Sequence, residues 1–456
     1  MNDQNYTDSP RIDRARIATL RRREDAAFAV RTRQSRALLE RGRKVMPSGV
    51  PMSWMVGLYE SPPVFVTHGE GARFWDADGN VYLDMNQADL SMTCGFTPGP
   101  VLDAVARQIQ NGPSFLLPGE DSIVVSELLG ARFGLTHWQF TLSASSANNE
   151  ATRIARVVTG RDKALMFQGH YHGHVDEMLA AGGSYSEAGY VGLPQGASGR
   201  AGTVPFNDLA ALRTALETKL YACLMAEPAL TNCGLVQPDP GFWDAATTLC
   251  RETGTLLVLD ETHTQTFAFG GMIRAWKLAP DMVTIGKCVG GGLPMGAYGM
   301  GESLARVMER TIDRHRGGAV LPTGGTVYAN ALSMAAARAA LEEVLTEDGY
   351  ARVSALGKKL ADGLDASFAR HGLPWRAPVL GGRSGWCLEP TLPRNVEEAG
   401  RSIDYELIDA RRVFMLNRGI WDAIASAGPA VSFAHEPADI DEYLAVADAF
   451  LDEVVG

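Results

Sequence analysis

Lys287 lies in the run Asp-Met-Val-Thr-Ile-Gly-Lys-Cys-Val-Gly-Gly-Gly-Leu-Pro, between a short apolar strand pattern and a triple glycine. A solvated ammonium is out of place there. An amine desolvated by Val283, Ile285 and Val289 has its charged form disfavoured and becomes nucleophilic enough to form an imine with a bound aldehyde. A carboxylate, Asp260, closes another apolar run within Asp260-Glu261-Thr262-His263-Thr264. In that place it can pair with a protonated pyridine nitrogen and keep the ring an electron sink, or simply cap a helix. The stretch from Asp260 to Lys287 leaves room for one helical crossover, so both groups reach the same edge of a parallel sheet.

Two further strand ends carry polar residues. Residues 138–142 run into Ser143-Ala144-Ser145-Ser146-Ala147-Asn148, small hydroxyl residues opening a helix, which suits either a phosphate or an ordinary serine cap. Residues 163–167 run into Gln168-Gly169-His170-Tyr171-His172-Gly173-His174. Glycines flanking Tyr171 fit a ring lying flat over a cofactor. No carboxylate or cysteine pattern completes a zinc signature around the three histidines, so no metal is expected.

The elements behind these ends alternate. Short apolar runs at 138–142, 163–167, 222–225, 255–259 and 282–285 are separated by amphipathic segments such as 148–158 and 242–252. Such alternation builds a mostly parallel sheet covered by helices on both faces, an α/β fold. Ligands of an open parallel sheet bind beyond its carboxyl ends, where the polar residues above fall. Residues 71–85 read as two strands joined by the turn Asp78-Gly79-Asn80, and an alanine-rich helix begins after Asn330. The pattern divides into an N-terminal segment, 1–70, joining a small domain; a large domain, 71–325; and a C-terminal α+β domain, 326–456.

Bulk properties exclude some partners. A net charge of -11 and the absence of a basic face argue against nucleic acid and anionic membranes. No apolar run is long enough to span a bilayer, and the N-terminus lacks the apolar core of a secretory signal. The six cysteines show no pairwise metal spacing, which fits reduced thiols in a cytoplasmic protein.

The motifs GEGARFWDADGNVYLD, RIARVVTGRDK, GHYHGHVDEML, Glu227-Pro228 to Asn232, LVLDETHT and PDMVTIGKCVGGGLPMGAYG together give the chain, from about residue 40 to its end, a specific resemblance. It resembles the class III, fold type I pyridoxal phosphate enzymes, most closely the glutamate-1-semialdehyde aminomutase branch. The resemblance implies a large cofactor-binding domain and pyridoxal 5'-phosphate as cofactor. It makes Lys287 the Schiff-base lysine, Asp260 the partner of the pyridine nitrogen and Tyr171 the aromatic residue on the ring. Ala144 and Ser145, beside Ser143, match the phosphate cup, and Asn232 matches an asparagine near the phenolic oxygen. Thr326, after Gly325, matches a segment that a neighbouring subunit lends to the phosphate, which implies a homodimer with shared active sites.

Departures from the pattern bear on the substrate. The usual Ser-Gly-Thr-Glu-Ala is Ser143-Ala144-Ser145-Ser146-Ala147, and the usual valine after Asp-Glu is Thr262, followed by His263, which is expected to approach the phenolic oxygen. Where the aminomutase branch carries a carboxylate-binding arginine, this chain reads Pro47-Ser48-Gly49-Val50-Pro51-Met52-Ser53-Trp54-Met55. A buried carboxylate without donors is costly, so either Arg383 or another basic residue substitutes, or the substrate has no carboxylate there. Met52 and Trp54 would then wall an apolar pocket, with Gln87 and Asp89 as polar contacts. The expected activity is transamination of a small amine or non-standard amino compound. The alternatives are an ammonia-lyase working by β-elimination on an amino-alcohol derivative, and an aminomutase. A non-catalytic scaffold on the same fold is disfavoured by the joint presence of Lys287, Asp260 and Tyr171.

Overall fold

The structure, a computed structural model, describes residues 11–57, 61–182, 191–312, 321–424 and 427–456. The chain forms two compact units. The first comprises Pro98–Ala351 with Pro393–Glu398, and the second comprises the segment up to Thr97, Arg352–Leu392 and Ala399–Gly456. This division departs from boundaries at 71 and 326, for local reasons. Residues 73–84 pair into the second unit's sheet, whereas the helix Ala331–Ala339 stays in the first, where Leu332 N donates to Pro113 O at 3.1 Å and Ser333 Oγ to Pro294 O at 3.1 Å.

In chain order the strands are β1 (Val66–Glu70), β2 (Arg73–Asp76), β3 (Val81–Asp84), β4 (His137–Thr141), β5 (Lys163–Phe167), β6 (Ala201–Val204), β7 (Tyr221–Ala226), β8 (Leu256–Asp260), β9 (Met282–Ile285), β10 (Gly296–Met300), β11 (Val379–Leu380), β12 (Arg383–Ser384) and β13 (Ile420–Trp421). Among the described residues of the first unit, the sheet order is β4-β10-β9-β8-β7-β5-β6, parallel except that β10 runs against both neighbours. Its central strands are buried on both faces, which is why they read as unbroken apolar runs. The architecture is that of fold type I, a mostly parallel sheet clothed in helices.

In β10, Gly296-Ala297-Tyr298-Gly299-Met300, the apolar run is broken by two glycines, because the neighbours leave no room for a side chain at either. A Cβ at Gly296 would meet the Ser143 carbonyl at 2.4 Å, and one at Gly299 would meet the Trp138 ring at 2.7 Å.

In the second unit β1, β2 and β3 form an antiparallel meander, and β13 pairs in parallel with β3. The turn between β2 and β3 is built on Asp76, which accepts from Asp78 N at 3.0 Å, Asn80 N at 2.8 Å and Tyr82 OH at 3.0 Å. Its Gly79 takes a φ of 81°. The helices Arg14–Arg31 and Pro437–Val454 share a core of Ile17, Leu20, Ile440, Tyr443 and Phe450. No helix among the described residues is long and apolar enough to cross a membrane. All six cysteines are buried, and none is in a disulfide.

Candidate active site

The carboxyl ends of β4, β5, β7, β8 and β9 share one edge of the first unit's sheet, and the amino end of β10 lies there too. Beyond β4, Ser143 is extended and its Oγ accepts from Ser146 N at 3.3 Å, which opens the helix Ala144–Thr159. The first-turn amides of that helix form an anion seat. Glycines close upon it. A Cβ on Gly286 would lie 2.9 Å from Ala144 Cβ, and one on Gly173 would lie 2.1 Å from Ser145 Oγ. Ser145 Oγ also accepts from His174 N at 3.1 Å. The backbone that delivers Lys287 therefore runs directly against the helix start.

Lys287 is half-buried, with Val283, Ile285 and Val289 wholly buried around its strand. Its φ of 53° is left-handed, which costs a residue with a side chain about 1–2 kcal/mol. The preceding carbonyl, Gly286 O, is held by Gln265 Nε2 at 2.6 Å.

Asp260 ends β8, and its neighbour Glu261 N donates to Thr284 O at 2.9 Å, which fixes the register with β9. Asp260 is 3% exposed. Its Oδ2 accepts from Asn148 Nδ2 at 2.8 Å and meets His172 Nδ1 at 2.9 Å, and its Oδ1 accepts from Thr262 N at 3.0 Å. Burial alone pushes this carboxyl up, but His172, Thr262 and Asn148 together outweigh it and hold the group below the usual aspartate range. It is therefore a buried, lasting negative charge.

The contacts of Asn148 and His172 with Asp260 were not expected from the sequence. Asn148 sits one helical turn after Ala144, in phase with it, and also donates to His172 O at 3.0 Å while Thr284 Oγ1 donates to its Oδ1. It thus ties the anion-seat helix to β8, β9 and the histidine loop. The three histidines of that loop part company. His170 stacks on His172 at 5.0 Å and is driven down to about 3 by burial and by His172; His172 holds Asp260; His174 is exposed. No group of His, Cys, Asp or Glu among the described residues is arranged to hold a metal ion.

β7 leads into Glu227, which is 3% exposed. Its Oε1 accepts from Tyr171 N at 3.1 Å, and its Oε2 accepts from both the amide and the hydroxyl of Thr231. The Thr231 hydroxyl also meets His263 Nδ1 at 2.6 Å. Burial pushes Glu227 up to about 7. Asn232, next in line, is buried, Tyr171 half-buried and Thr326 exposed.

The remaining candidates, Met52, Trp54, Gln87 and Arg383, belong to the second unit. Met52 is exposed and Trp54 half-buried. Arg383 is buried, its Nε donating to Ala427 O at 2.7 Å. Gln87, Ala88, Asp89 and Leu90 form a left-handed turn with φ of 55°, 47°, 55° and 66°. The amides of Asn86 and Gln87 both donate to Asp84 Oδ1 at 2.8 Å. Burial pushes the Asp84 carboxyl up to about 6 against these bonds. The Gln87 side chain is 2% exposed, and neither of its amide atoms has a hydrogen-bond partner among the described residues.

Comparison with known proteins identifies the family. Residues 57–386 match the family model "Aminotransferase class-III". A glutamate-1-semialdehyde 2,1-aminomutase of Gemmatimonas aurantiaca is 33% identical, the match spanning 91% of this chain and 95% of that protein. A variant glutamate-1-semialdehyde-aminomutase from Pseudomonas aeruginosa PAO1, solved in complex with PMP, superposes with a TM-score of 0.91 at 32% identity, over 98% of this chain and 100% of that one. An omega-transaminase from Sphaerobacter thermophilus superposes with a TM-score of 0.83 at 26% identity, over 92% and 97% of the two chains. With residues 57–386 inside the family model and relatives of this likeness across nearly its whole length, the chain belongs to the class III aminotransferases, fold type I enzymes that work with pyridoxal phosphate.

Proposed function

We propose that the enzyme transaminates a small amine or a non-standard amino compound, with Lys287 as its reactive amine and Asp260 as the partner of the cofactor's ring nitrogen. The observation that supports this most is the convergence of a strained lysine, an ionised buried carboxylate and a helix-start anion seat on one sheet edge. The residues present fit the cofactor. The amides and hydroxyls at Ser143, Ala144 and Ser145 suit its phosphate, and the clearances at Gly173 and Gly286 keep that seat open. Asp260 suits a protonated pyridine, Tyr171 would cover the ring, and Asn232 and His263 would face its oxygen. When bound, the cofactor supplies an electron-accepting ring conjugated with the carbon from which a proton is removed. Lys287 Nζ takes that proton from the substrate carbon and returns it elsewhere, while Asn148 and His172 keep Asp260 charged.

On the substrate side we infer that an uncharged hydrogen-bonding group replaces the carboxylate recognised in the aminomutase branch. Gln87 is suited to read it, since its buried amide offers both a donor and an acceptor. Met52 and Trp54 are proposed as apolar contacts, and Arg383 as the cation that would serve a carboxylate instead. An aminomutase is the second reading, favoured by the names of relatives at 33% and 32% identity. A single experiment separates the branches. Purified enzyme is mixed with an amine donor alone while cofactor absorbance and ammonia are followed. Lasting conversion of the cofactor to its aminated form supports transamination. Ammonia release indicates elimination, and rearrangement of a semialdehyde substrate with neither indicates the amine shift.

We also propose that the enzyme is a homodimer of the cytoplasm. Thr326 is exposed beside Val327, 44% exposed, and the apolar run Phe115, Leu116 and Leu117 is 56%, 72% and 75% exposed. A second copy would cover such a surface. Sedimentation equilibrium at micromolar concentration tests this, and a monomer that turns over would refute it.

A further inference from the structure

The chain Glu227, Thr231, His263 joins three buried groups by two hydrogen bonds, and one proton count governs all of them. A hydroxyl has a single proton to give. When Glu227 is ionised, its Oε2 can only accept, so the Thr231 hydroxyl donates to it. The lone pair left on Thr231 Oγ1 then faces His263 Nδ1 at 2.6 Å and accepts a proton from it. A neutral imidazole carries one N–H, so Nε2 is left with a lone pair. When Glu227 is protonated, each bond reverses: the carboxyl donates to Thr231, Thr231 donates to Nδ1, and the imidazole proton resides on Nε2.

We propose that Glu227 is a positioning residue that sets, through Thr231, which nitrogen of His263 carries its proton, and thereby whether His263 offers the cofactor's oxygen substituent an acceptor or a donor. This rests on the reading that pyridoxal phosphate binds with that oxygen toward His263. With Glu227 ionised, the Nε2 lone pair favours a ring oxygen that keeps its proton. With Glu227 protonated, Nε2–H stabilises the oxyanion. Other groups bear on Glu227. His172 and Thr231 favour its charged form, Asp260 opposes it, and the Tyr171 amide donates to it. The neighbouring Cys233 thiol is pushed up by burial and by Glu227 itself, so it stays a neutral bystander. With burial raising Glu227 to about 7, the two states exchange near neutral pH.

The test uses 15N-histidine spectra of the cofactor-free protein, with the His263 signal assigned by its loss in His263→Gln. Well above the Glu227 transition, His263 is expected to be Nδ1–H by about tenfold or more, and to reverse well below it. Thr231→Ser keeps this behaviour. Thr231→Val, which removes the hydroxyl and little volume, abolishes both the excess and its pH dependence. In the loaded enzyme, the pH midpoint of the visible band follows the same transition in the wild type and Thr231→Ser, and loses it in Thr231→Val. An Nε2–H ring at high pH, or a Thr231→Val spectrum like the wild type, overturns the proposal. If Thr231→Val does not fold, a wild-type tautomer that fails to reverse across the transition overturns it alone. A protein that takes up no pyridoxal phosphate sinks the functional reading instead, and the cofactor-free spectra still decide the relay.

Discussion

Gly286→Ala is the sharpest probe of how the lysine is aimed. Glycine here buys proximity: a Cβ would lie 2.9 Å from Ala144 Cβ, 3.1 Å from Ala144 N and 3.4 Å from Ala144 Cα. Carbon atoms pack at about 3.5–4.0 Å, so the two backbones must part by roughly half an ångström or more. Neither side yields easily, since one begins a sixteen-residue helix and the other is held by Gln265. Overpacking of this kind costs about 1–3 kcal/mol, which for a chain of 456 residues lowers the melting temperature by roughly 1–3 °C. The larger effect falls on chemistry. Misplacement by about 1 Å can cost a hundredfold in rate, so turnover should fall about ten- to a hundredfold, with weaker cofactor uptake by absorbance titration. Adding Ala144→Gly removes the nearest clashing atom and should restore much of both. A single variant within about twofold of wild type, or a double variant no better than the single, would refute the reasoning.

Lys287→Ala should retain cofactor through the helix-start seat and lose turnover; steady-state activity near wild type would end the assignment of that lysine. Asn148→Leu removes a donor to Asp260 and strands the Thr284 hydroxyl, so cofactor affinity should fall at least tenfold in a spectroscopic titration, with unchanged affinity refuting the tie. Glu227 and Glu261, both raised from 4.5 to about 7 by burial, bind protons more readily folded than unfolded. Their stability contribution is therefore full below about 4.5 and lost as pH rises through 7, by at most about 3 kcal/mol each. Urea midpoints of the cofactor-free protein at pH 5.5 and 8 should show this loss, flattened in Glu261→Gln; an equal slope in that variant would contradict it. Gln87→Leu removes an unpartnered buried amide, so it should raise stability by about 1–3 kcal/mol while lowering kcat/KM, and a destabilised variant with full activity would refute both halves.

What the sequence made legible followed from hydrophobic pattern. Residues 163–167 and 282–285 are strands with those bounds because strands buried on both faces have little choice but continuous apolar side chains. β10 escaped notice because its residues answer to close neighbours rather than to a core. Two glycines weaken any strand pattern, and only the facing Ser143 and Trp138 explain them. The domain boundaries slipped for a related reason. β3 pairs through Leu83 and Asp84 with β13, whose Ile420 and Trp421 lie more than three hundred residues further along the chain, a link that no local pattern records.

The polar site divides along the same line. Lys287, Asp260 and the Ser143 turn stand out because each interrupts an apolar run at a strand end, whereas Asn148, Thr231 and His172 matter only through their partners. The turn at Gln87–Leu90 is the extreme case. Its residues, Gln-Ala-Asp-Leu, include no glycine to invite left-handed backbone, yet all four adopt it. At about 1–2 kcal/mol per residue, such a turn persists only where surroundings over-determine it. Asp84 does so by gathering the amides of Asn86 and Gln87 on one buried carboxyl oxygen, and Met92 N adds a 2.9 Å bond to Gln87 O. A buried amide with no partner among the described residues is the observation behind the proposal that Gln87 meets a ligand. Strain and an unmet hydrogen bond in one residue are the physical reason to look for substrate recognition at Gln87 before any position chosen by resemblance.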